Sequence, residues 1–398
     1  MDRTILHVDA NCFYVSVETA LNPQLRDKPA AVVGDTEKRH GIVLTANYIA
    51  KRVYGIKTGD TVWQAEKKCP DLVQIKTHMQ LYKEYSMKMR DILYSYSDYV
   101  EPFGCDEAWV ELKGVVKENG EKIAHHIRRR IKKELGITVS VGVSFNKAFA
   151  KLGSDMKKPD AVTVITKDNF REKIWPLPVE DLLYVGKRTK NILNRKAVYT
   201  IGDLAQADEH LLGDWLGKSA QMLHTYANGL DTSPVKPYGY KREAKSIGNS
   251  TTFPHDLTTE EEVRSSLVSL ADYVSQRLRK EGVKGREITV SVRDNKMHWV
   301  SHGRSLDRPT DISNEIARCA VELFKESYGW INPVRSLGIS VGRLGGEETC
   351  TQLDLLGNEE KRSKHRIIDC TGDMLKQRFG NQIICKAVTL LHRDTVLM

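Results

Sequence analysis

Phe103-Gly104-Cys105-Asp106-Glu107-Ala108-Trp109 is the stretch of sequence on which the fold depends. Apolar residues flank it on both sides, so it predicts two strands joined by an abrupt turn that carries two adjacent carboxylates. Near the start of the chain, the run Ile5-Leu6-His7-Val8 ends in Asp9, which predicts a first strand with a carboxylate at its end. We expect Asp9, Asp106 and Glu107 to meet at one edge of a sheet, where their oxygens would hold two Mg²⁺ ions.

The size and composition of the chain are those of a globular protein with more than one domain. At 398 residues it is longer than a single hydrophobic core usually supports, so we expect about two to four domains. Hydrophobic residues make up 40% and charged residues 28% of the sequence, which is enough for compact cores. No tract reaches the roughly 20 apolar residues of a membrane-spanning helix, so we expect no membrane association.

The cysteines, the start of the chain and the net charge indicate the environment of the protein. Seven cysteines are scattered without a Cys-x-x-Cys pair, which favours reduced thiols in a cytoplasmic protein over zinc ligands or disulfides. Met1-Asp2-Arg3 runs directly into a strand-like segment and lacks the pattern of a signal peptide. The formal charge of +9 and the pI near 9.0 suit a polyanionic partner without identifying one.

The first 166 residues have an α+β pattern. Helical patterns such as 123–135 alternate with strand-like runs, which are 5–9, 100–104, 108–112, 139–144 and 161–165. We assign 1–11 and 78–166 to one domain, whose sheet carries the three carboxylates. The intervening 12–77 has short strands and helices of its own, so we interpret it as an insertion that covers one end of the sheet.

The rest of the chain divides where the pattern changes. Residues 167–233 are predicted to be helical with glycine-containing loops, and 234–242, with two prolines and two tyrosines, to be a linker. Residues 243–345 follow the split βαββαβ order, which predicts a second α+β domain. Residues 346–398 are predicted to form a connector and a last helix near 361–379.

A second group of candidate residues lies in Thr45-Ala46-Asn47-Tyr48-Ile49-Ala50-Lys51-Arg52, which begins as a strand and turns helical. Helical spacing puts Tyr48 and Lys51 on one face, with Thr45 at the entrance of the helix. Hydroxyls, a cation and a helix N-terminus suit the phosphates of a nucleoside triphosphate. An ordinary amphipathic helix with a capping Thr is the alternative.

Two aromatic residues, Phe13 and Tyr14, follow Asp9 closely. An aromatic ring beside bound metal ions would lie beneath the sugar of an incoming nucleotide and exclude a 2′-hydroxyl. Alternatively both rings belong to the core, and we expect at least one of them to do so.

Lys158 lies in a loop after a predicted helix that begins near Asn146. We expect its side chain to project toward the sheet edge that holds Asp9, where it would bind phosphate. The alternative is a solvated lysine that complements the C-terminal end of the helix dipole.

Glycine turns between the helices of 167–233 indicate contacts with DNA phosphates. Gly186 and Lys187 stand in a helix, tight turn, helix pattern, and Gly217 and Lys218 form a weaker copy of it. Exposed backbone N–H groups in such a hairpin hold phosphates without reading bases. Glycine turns also join helices that bind no DNA, so this alternative stays open.

The late connector contains a short apolar peptide with a leading Gln. Its candidate binding residues are Gln352, Leu353, Leu355 and Leu356. Such a peptide would dock in a groove on a partner protein. A strand edge or the start of the last helix is the alternative.

Taken in order, these motifs resemble those of the Y-family DNA polymerases, the translesion class, and most closely its bacterial members. Val8-Asp9-Ala10-Asn11-Cys12-Phe13-Tyr14 is similar to the first metal motif of that family. The resemblance implies that Asp9 bridges two metal ions and that the Ala10 carbonyl binds one of them. It also implies that Tyr14 is the steric gate against ribonucleotides.

The carboxylate turn carries a second part of the resemblance. Gly104-Cys105-Asp106-Glu107-Ala108 is similar to the segment that the family usually has as Ser-Ile-Asp-Glu-Ala. This implies that Asp106 and Glu107 are metal ligands and, with Asp9, the catalytic residues. The implied cofactor is a pair of Mg²⁺ ions, with Mn²⁺ as a substitute.

The nucleotide and DNA contacts follow from the same resemblance. Thr45, Tyr48 and Lys158 fall on positions that contact the triphosphate; Lys51 stands where the family usually has Arg, which leaves Lys51 and Arg52 as alternatives for that role. Tyr184 replaces the first glycine of the usual thumb hairpin. The peptide 352–356 is similar to a sliding-clamp motif.

The resemblance implies a right-hand architecture of a palm with a ferredoxin-like sheet, small fingers, an all-helical thumb and a βαββαβ little finger. It implies a low-fidelity, template-directed DNA polymerase that acts as a monomer in the cytoplasm. Its partners would be primer-template DNA, deoxynucleoside triphosphates and the bacterial sliding clamp. The alternatives are a non-catalytic DNA-binding scaffold recruited by a clamp and, in the same chemical class, a palm-fold nucleotidyl cyclase.

Overall fold

The computed structural model of the chain describes residues 3–35, 41–114, 117–346, 358–381 and 383–390. It contains two compact units, which meet in the sequence between Lys241 and Arg242. Both units combine sheets with helices, the sheets being mixed in the first unit and antiparallel in the second, so the predicted α+β class is confirmed.

The first unit holds two sheets and a group of short helices. Its strands are β1 (Ile5–Ala10), β2 (Ala30–Val33), β3 (Val43–Ala46), β4 (Val73–Lys76), β5 (Val100–Phe103), β6 (Glu107–Glu111), β7 (Val139–Ser144) and β8 (Val162–Val164). Its helices are α1 (Phe13–Leu21), α2 (Tyr48–Arg52), α3 (Val62–Lys68), α4 (Met79–Tyr94), α5 (Lys117–Leu135), α6 (Lys147–Met156), α7 (Phe170–Ile174), α8 (Lys187–Asn194), α9 (Ile201–Gln206), α10 (Glu209–Leu216) and α11 (Ala220–Ala227).

The main sheet has the strand order β5-β6-β1-β7-β8, with β1 antiparallel to both of its neighbours. Side chains alternate along a strand, so Leu6 and Val8 point to one face of β1 and His7 and Asp9 to the other. The Leu6 face packs on α4 and α5 in the largest hydrophobic core. Helix α6 packs on β1 and β7. The sheet is therefore buried on both sides around β1.

The insertion 12–77 contains a second sheet of order β3-β2-β4. One side of it has a small core of its own, which includes Ala31, Val43 and Val62. Ala30 and Val32, on the other side of β2, join the large core beside the main sheet. The insertion is thus packed against the main sheet through β2 and α1.

Helices α7 to α11 form a separate hydrophobic cluster that also takes in Phe149 and Leu152 from α6. The segment expected to be a linker follows them and lies on the first unit. Val235 is 2% exposed and packs with Ile5 and Trp109, and the Tyr238 N–H donates to the Asp98 carbonyl at 2.7 Å.

The second unit has the predicted βαββαβ order, followed in the described residues by two further helices. Its elements are β9 (Ser246–Leu257), α12 (Glu260–Lys280), β10 (Val283–Asp294), β11 (Trp299–Thr310), α13 (Ser313–Ser327), β12 (Val334–Gly346), α14 (Asn358–Phe379) and α15 (Ala387–Leu390). The sheet order is β11-β10-β12-β9, and α12 and α13 share one core with it. The buried Arg279 of α12 pairs with Asp373 of α14 at 2.7 Å. The peptide 352–356 lies outside the described residues.

Candidate active site

The backbone brings the three predicted carboxylate residues to one end of the main sheet. Asp9 of β1 is the register partner of Glu107 of β6, and the next residue, Ala10, donates its N–H to the Asp106 carbonyl at 2.9 Å. The turn between β5 and β6 includes Gly104 at φ +77°, a conformation that glycine adopts without strain. The predicted convergence of Asp9 with the Asp106 turn is thus present in the fold.

Asp9 is largely buried and has a lysine partner. It is 9% exposed, and its Oδ1 lies 3.0 Å from Lys158 Nζ. Burial raises the pKa of Asp9 to about 6, although Lys158 acts in the opposite direction. Lys158 also contacts Asp155 at 2.8 Å. Burial alone would lower the pKa of Lys158, but the two carboxylates outweigh burial and raise it.

Glu107 and Asp106 have opposite electrostatic environments. Burial would raise the pKa of Glu107, but contacts with His7 and Lys151 outweigh it and lower this pKa to about 2. Lys151 of α6 forms an ion pair with Glu107, and His7 Nε2 lies 3.1 Å from Glu107 Oε2. The pKa of Asp106 is raised, first by burial and then by the charge of Glu107. Glu107 is therefore the most acidic carboxyl group of the three.

The donor atoms fit a divalent cation. Single ligand atoms of His7, Asp9 and Glu107 all lie within 4.8 Å of one another. Hard cations prefer carboxylate oxygens. A cation bound here would stabilise the ionised form of Asp9 and so offset the effect of burial on its pKa. The protein therefore has a possible acidic metal site at this end of the sheet, with Asp106 on the adjoining turn.

Two residues of this cluster, His7 and Lys151, were not among the predicted site residues. His7 is a polar residue in an otherwise apolar strand, two positions before Asp9 and on the same face of the sheet, and this was the signal available in the sequence. Lys151 gave no comparable signal, because its contact with Glu107 depends on the packing of α6 against the sheet.

Asn11 is a third residue that the sequence analysis did not single out. It is 2% exposed, and its Oδ1 accepts from the Tyr48 hydroxyl at 3.3 Å and from Ser140 Oγ at 3.0 Å. Burial raises the pKa of Tyr48 to about 12, so the phenol stays protonated and available as a donor. Asn11 thus fixes the Tyr48 hydroxyl beside the end of β1.

The neighbouring cations have different partners. Lys51 Nζ lies 3.4 Å from Cys12 Sγ. Arg52 donates from Nη2 to the Lys158 carbonyl at 2.9 Å, and its guanidinium lies 4.8 Å from the centre of the Tyr48 ring. Thr45 lies on β3, opposite Val32, and is partly buried. Tyr48, Arg52 and Lys158 are therefore one connected group.

The structure separates the two aromatic candidates after Asp9. Phe13 is 3% exposed and belongs to the large hydrophobic core. Tyr14 is partly exposed, and its ring stacks on that of Tyr82. The pKa of Tyr14 is raised, first by burial and then by its neighbours Cys105 and Asp106. Only Tyr14 of the pair therefore presents a ring beside the carboxylate turn.

The candidate DNA-contacting residues lie at exposed helix ends. Gly186 precedes α8, and Lys187 is its first residue. Gly217 ends α10 at φ +60° and is followed by Lys218. Tyr184, which stands in place of a glycine, has φ +71°, a left-handed conformation that is strained for a bulky residue. The turn keeps a glycine-like backbone shape despite the substitution.

Comparison with known proteins assigns the class. Residues 8–155 match the impB/mucB/samB family, and residues 244–355 match the C-terminal domain of the same family. A Y-family DNA polymerase chimera of Dbh and Dpo4 has the same fold, with a TM-score of 0.77 at 24% identity over 86% of this chain and 99% of its own. The chain belongs to the Y-family DNA polymerases, and the predicted right-hand architecture is confirmed.

The relatives that match along nearly the whole chain belong to the DNA polymerase IV branch of this family. DNA polymerase IV of Acetivibrio thermocellus is 50% identical over 99% of both chains. DNA polymerase IV 1 of Bacillus subtilis is 38% identical over 99% of this chain and 94% of its own.

Among the residues that the structure describes, every helix is too short or too polar to cross a membrane.

Proposed function

We propose that Asp9, Asp106 and Glu107 hold the divalent cations of a template-directed DNA polymerase. Family membership makes the chain a DNA-directed DNA polymerase of the low-fidelity translesion class, and this replaces the scaffold and cyclase alternatives. The observation that carries the metal assignment is the pairing of β1 with β6, in which Asp9 faces Glu107 and Ala10 hydrogen bonds to Asp106.

In the proposed reaction, the primer 3′-hydroxyl attacks the α-phosphate of a deoxynucleoside triphosphate and pyrophosphate leaves. Bound cations, Mg²⁺ with Mn²⁺ as a substitute, would activate the hydroxyl and neutralise charge on the phosphoryl group. Asp9, Asp106, Glu107 and the Ala10 carbonyl would supply the protein ligands.

The triphosphate would lie over the group formed by Tyr48, Arg52 and Lys158. Tyr48 and Lys158 offer a hydroxyl and an ammonium beside Asp9, and both are partly exposed. Lys51 and Arg52 supply two further cations on the same short helix. The hydroxyl of Thr45 is proposed to donate a hydrogen bond to the same phosphates.

The sugar of the nucleotide would lie against Tyr14. Tyr14 stacks on the buried Tyr82, and the Tyr14 ring is partly exposed next to the Asp106 turn. A 2′-hydroxyl would meet that ring, so ribonucleotides are disfavoured by contact rather than by charge. Phe13 contributes to this site by packing α1 into the core.

Primer-template DNA would be held through its phosphates. Gly186 and Lys187 at one helix start, and Gly217 and Lys218 at another, are exposed for such contacts. Contacts of this kind release counterions, so we expect affinity for DNA to fall steeply with salt.

We propose the following domains: palm 1–11 and 78–166, fingers 12–77, thumb 167–233, linker 234–242, little finger 243–345 and C-terminal connector with helix 346–398. The polymerase is proposed to be a cytoplasmic monomer. The residues Gln352 to Leu356 are proposed to bind the bacterial sliding clamp, which would hold a weakly bound polymerase near the primer end.

Primer extension on undamaged and damaged templates tests this function. With Mg²⁺ supplied, the chain should extend a primer with the four deoxynucleoside triphosphates, past a lesion as well as on intact template. With a chelator present, extension should stop and should return when excess Mg²⁺ or Mn²⁺ is added. Template-dependent extension that persists in excess chelator would contradict the metal assignment.

A further inference from the structure

His7 is a fully buried polar side chain next to the proposed metal ligands. It is 0% exposed and lies on β1 on the same face as Asp9. Its ring packs edge-on against Trp109, with the ring centres 5.1 Å apart. Since the side chain has no contact with solvent, it does not touch substrate and needs an explanation within the protein.

Helix α6 reaches His7 because the strand beneath it carries a glycine. Gly142 of β7 is the register partner of His7. A Cβ atom on Gly142 would lie 1.9 Å from the Ala150 carbonyl oxygen and 2.6 Å from the Ser154 nitrogen. The backbones of helix and strand are therefore in direct contact. This close approach places Ser154 over His7 and Lys151 over Glu107.

Both ring nitrogens of His7 lie close to a polar side chain, although the contact of Nε2 with Glu107 has an ion-pair distance without the angle of a hydrogen bond. Nδ1 lies 2.8 Å from Ser154 Oγ, and Nε2 lies 3.1 Å from Glu107 Oε2. Burial lowers the pKa of His7, which disfavours the charged imidazolium. A lone pair on Nε2 would repel the carboxylate, so a proton belongs on Nε2. The hydroxyl of Ser154 donates to the Lys151 carbonyl at 2.6 Å, and its oxygen lies beside Nδ1.

We propose that His7 is a positioning residue that orients the Glu107 carboxylate for a cation shared with Asp9. The inference rests on the proposed function and extends it to a buried pair, Ser154 and His7, behind the metal ligands. Partners behind a metal ligand fix its orientation, and their loss weakens metal binding even though they do not touch the metal. Lys151 neutralises the charge of Glu107, whereas His7 sets the direction of one of its oxygens.

The test measures metal binding without turnover. The full chain is bound to a primer-template with a dideoxy-terminated primer and the matching deoxynucleoside triphosphate, and Mn²⁺ is titrated by electron paramagnetic resonance. His7→Leu removes the donor, His7→Gln keeps one, and Ser154→Ala removes only the partner of His7. Thr163→Val is the matched control, because it changes a buried polar residue on β8, away from the carboxylates.

We expect His7→Leu to weaken Mn²⁺ binding about tenfold or more, and His7→Gln and Ser154→Ala by about threefold. Thr163→Val should bind Mn²⁺ as the parent does. Unchanged binding by folded His7→Leu would overturn the inference, as would coupling of the Mn²⁺ signal to an imidazole nitrogen, which would make His7 a ligand. If His7→Leu does not fold, Ser154→Ala decides by the same criterion of weaker or unchanged binding.

The same titration separates this inference from the proposed function. If the parent complex binds no Mn²⁺, the metal site of the proposed function fails, and the role of His7 fails with it. If the parent binds Mn²⁺ and Asp106→Ala does not, while His7→Leu binds normally, only the role of His7 is lost.

Discussion

Tyr14 lies nearly parallel to Tyr82, with ring centres 4.3 Å apart and an angle of 13° between the planes. Tyr82 is fully buried, and its hydroxyl donates to Glu18 at 2.6 Å. Glu18 also contacts His78 at 2.8 Å, so the Tyr82 ring is held in place by both α1 and α4. Tyr14, the proposed steric gate, therefore stacks on a buried ring whose position is fixed by hydrogen bonds.

Removing the Tyr14 ring should weaken the preference for deoxynucleotides over ribonucleotides. We expect Tyr14→Ala to raise incorporation of ribonucleotides relative to deoxynucleotides by at least about tenfold, because the ring no longer meets the 2′-hydroxyl. Single-nucleotide insertion with matched ribo- and deoxynucleoside triphosphates measures this ratio. Phe13→Leu is the control: its ring lies in the core, so it should lower stability and leave the ratio unchanged. An unaltered ratio for Tyr14→Ala would count against the gate.

The left-handed backbone of Tyr184 predicts a stabilising substitution. Tyr184→Gly should raise the free energy of unfolding of the first unit by about 0.5 to 1 kcal/mol, because glycine adopts φ +71° without strain. Tyr199 is similarly exposed, at 57% against 54%, and is not among the residues with positive φ. Tyr199→Gly should therefore lower stability. Thermal unfolding of both variants makes the comparison, and a loss of stability in Tyr184→Gly would argue against strain at this turn.

Asp160 predicts a dependence of stability on pH. It pairs with Arg128 at 2.6 Å and Lys132 at 2.8 Å, both on α5. Burial would raise the pKa of Asp160, but these cations outweigh it and lower the pKa below its ordinary value of 3.8. A lowered folded-state pKa contributes stability above the unfolded-state pKa, and this contribution is lost as the pH falls toward the folded-state value.

The variant Asp160→Asn tests that sign. It should lower the free energy of unfolding by about 1.5 kcal/mol at pH 7, and the difference from the parent should shrink below about pH 4. Urea unfolding at several pH values gives both quantities. A difference that stays constant or grows toward low pH would show that the ion pairs do not carry the effect.

In the second unit, the buried Arg279 should contribute more to the free energy of unfolding than an exposed arginine does. It is buried between Asp369 and Asp373 of α14, so Arg279→Leu leaves two carboxylates without their cation and should cost about 3 kcal/mol. Arg304 pairs with Glu322 and Glu326 on the surface, so Arg304→Leu should change stability much less than Arg279→Leu does. Limited proteolysis should also release α14 from the Arg279 variant alone. Equal effects of the two substitutions would contradict a structural role for the buried pair.

The sequence was sufficient for features that depend on neighbours along the chain. Strand alternation and the abrupt turn predicted that Asp9 and the Asp106–Glu107 pair would come together, and the order of elements predicted both α+β units. The order of elements did not predict the length of the strands in the second unit, since antiparallel pairing continues where the alternation of apolar residues weakens; β10 spans Val283–Asp294.

Features that depend on distant packing were not predicted. His7 and Lys151 acquire their contacts only because α6 lies directly on Gly142, and this approach is not visible in either segment alone. Similarly, two adjacent aromatic residues gave no sign of which was buried until the direction of α1 put Phe13 in the core. Val235 is buried by residues far from it in the sequence, in a segment whose prolines indicated a linker.

The account depends most on the carboxylates that meet at the end of β1, and one comparison of rates tests them directly. Asp106→Ala should lower the rate of primer extension in Mg²⁺ by about a thousandfold or more, whereas Asp155→Ala, which removes an exposed carboxylate that also pairs with Lys158, should stay within about tenfold of the parent. Both variants should bind primer-template DNA as the parent does. Extension by Asp106→Ala at close to the parental rate would contradict the proposed metal site.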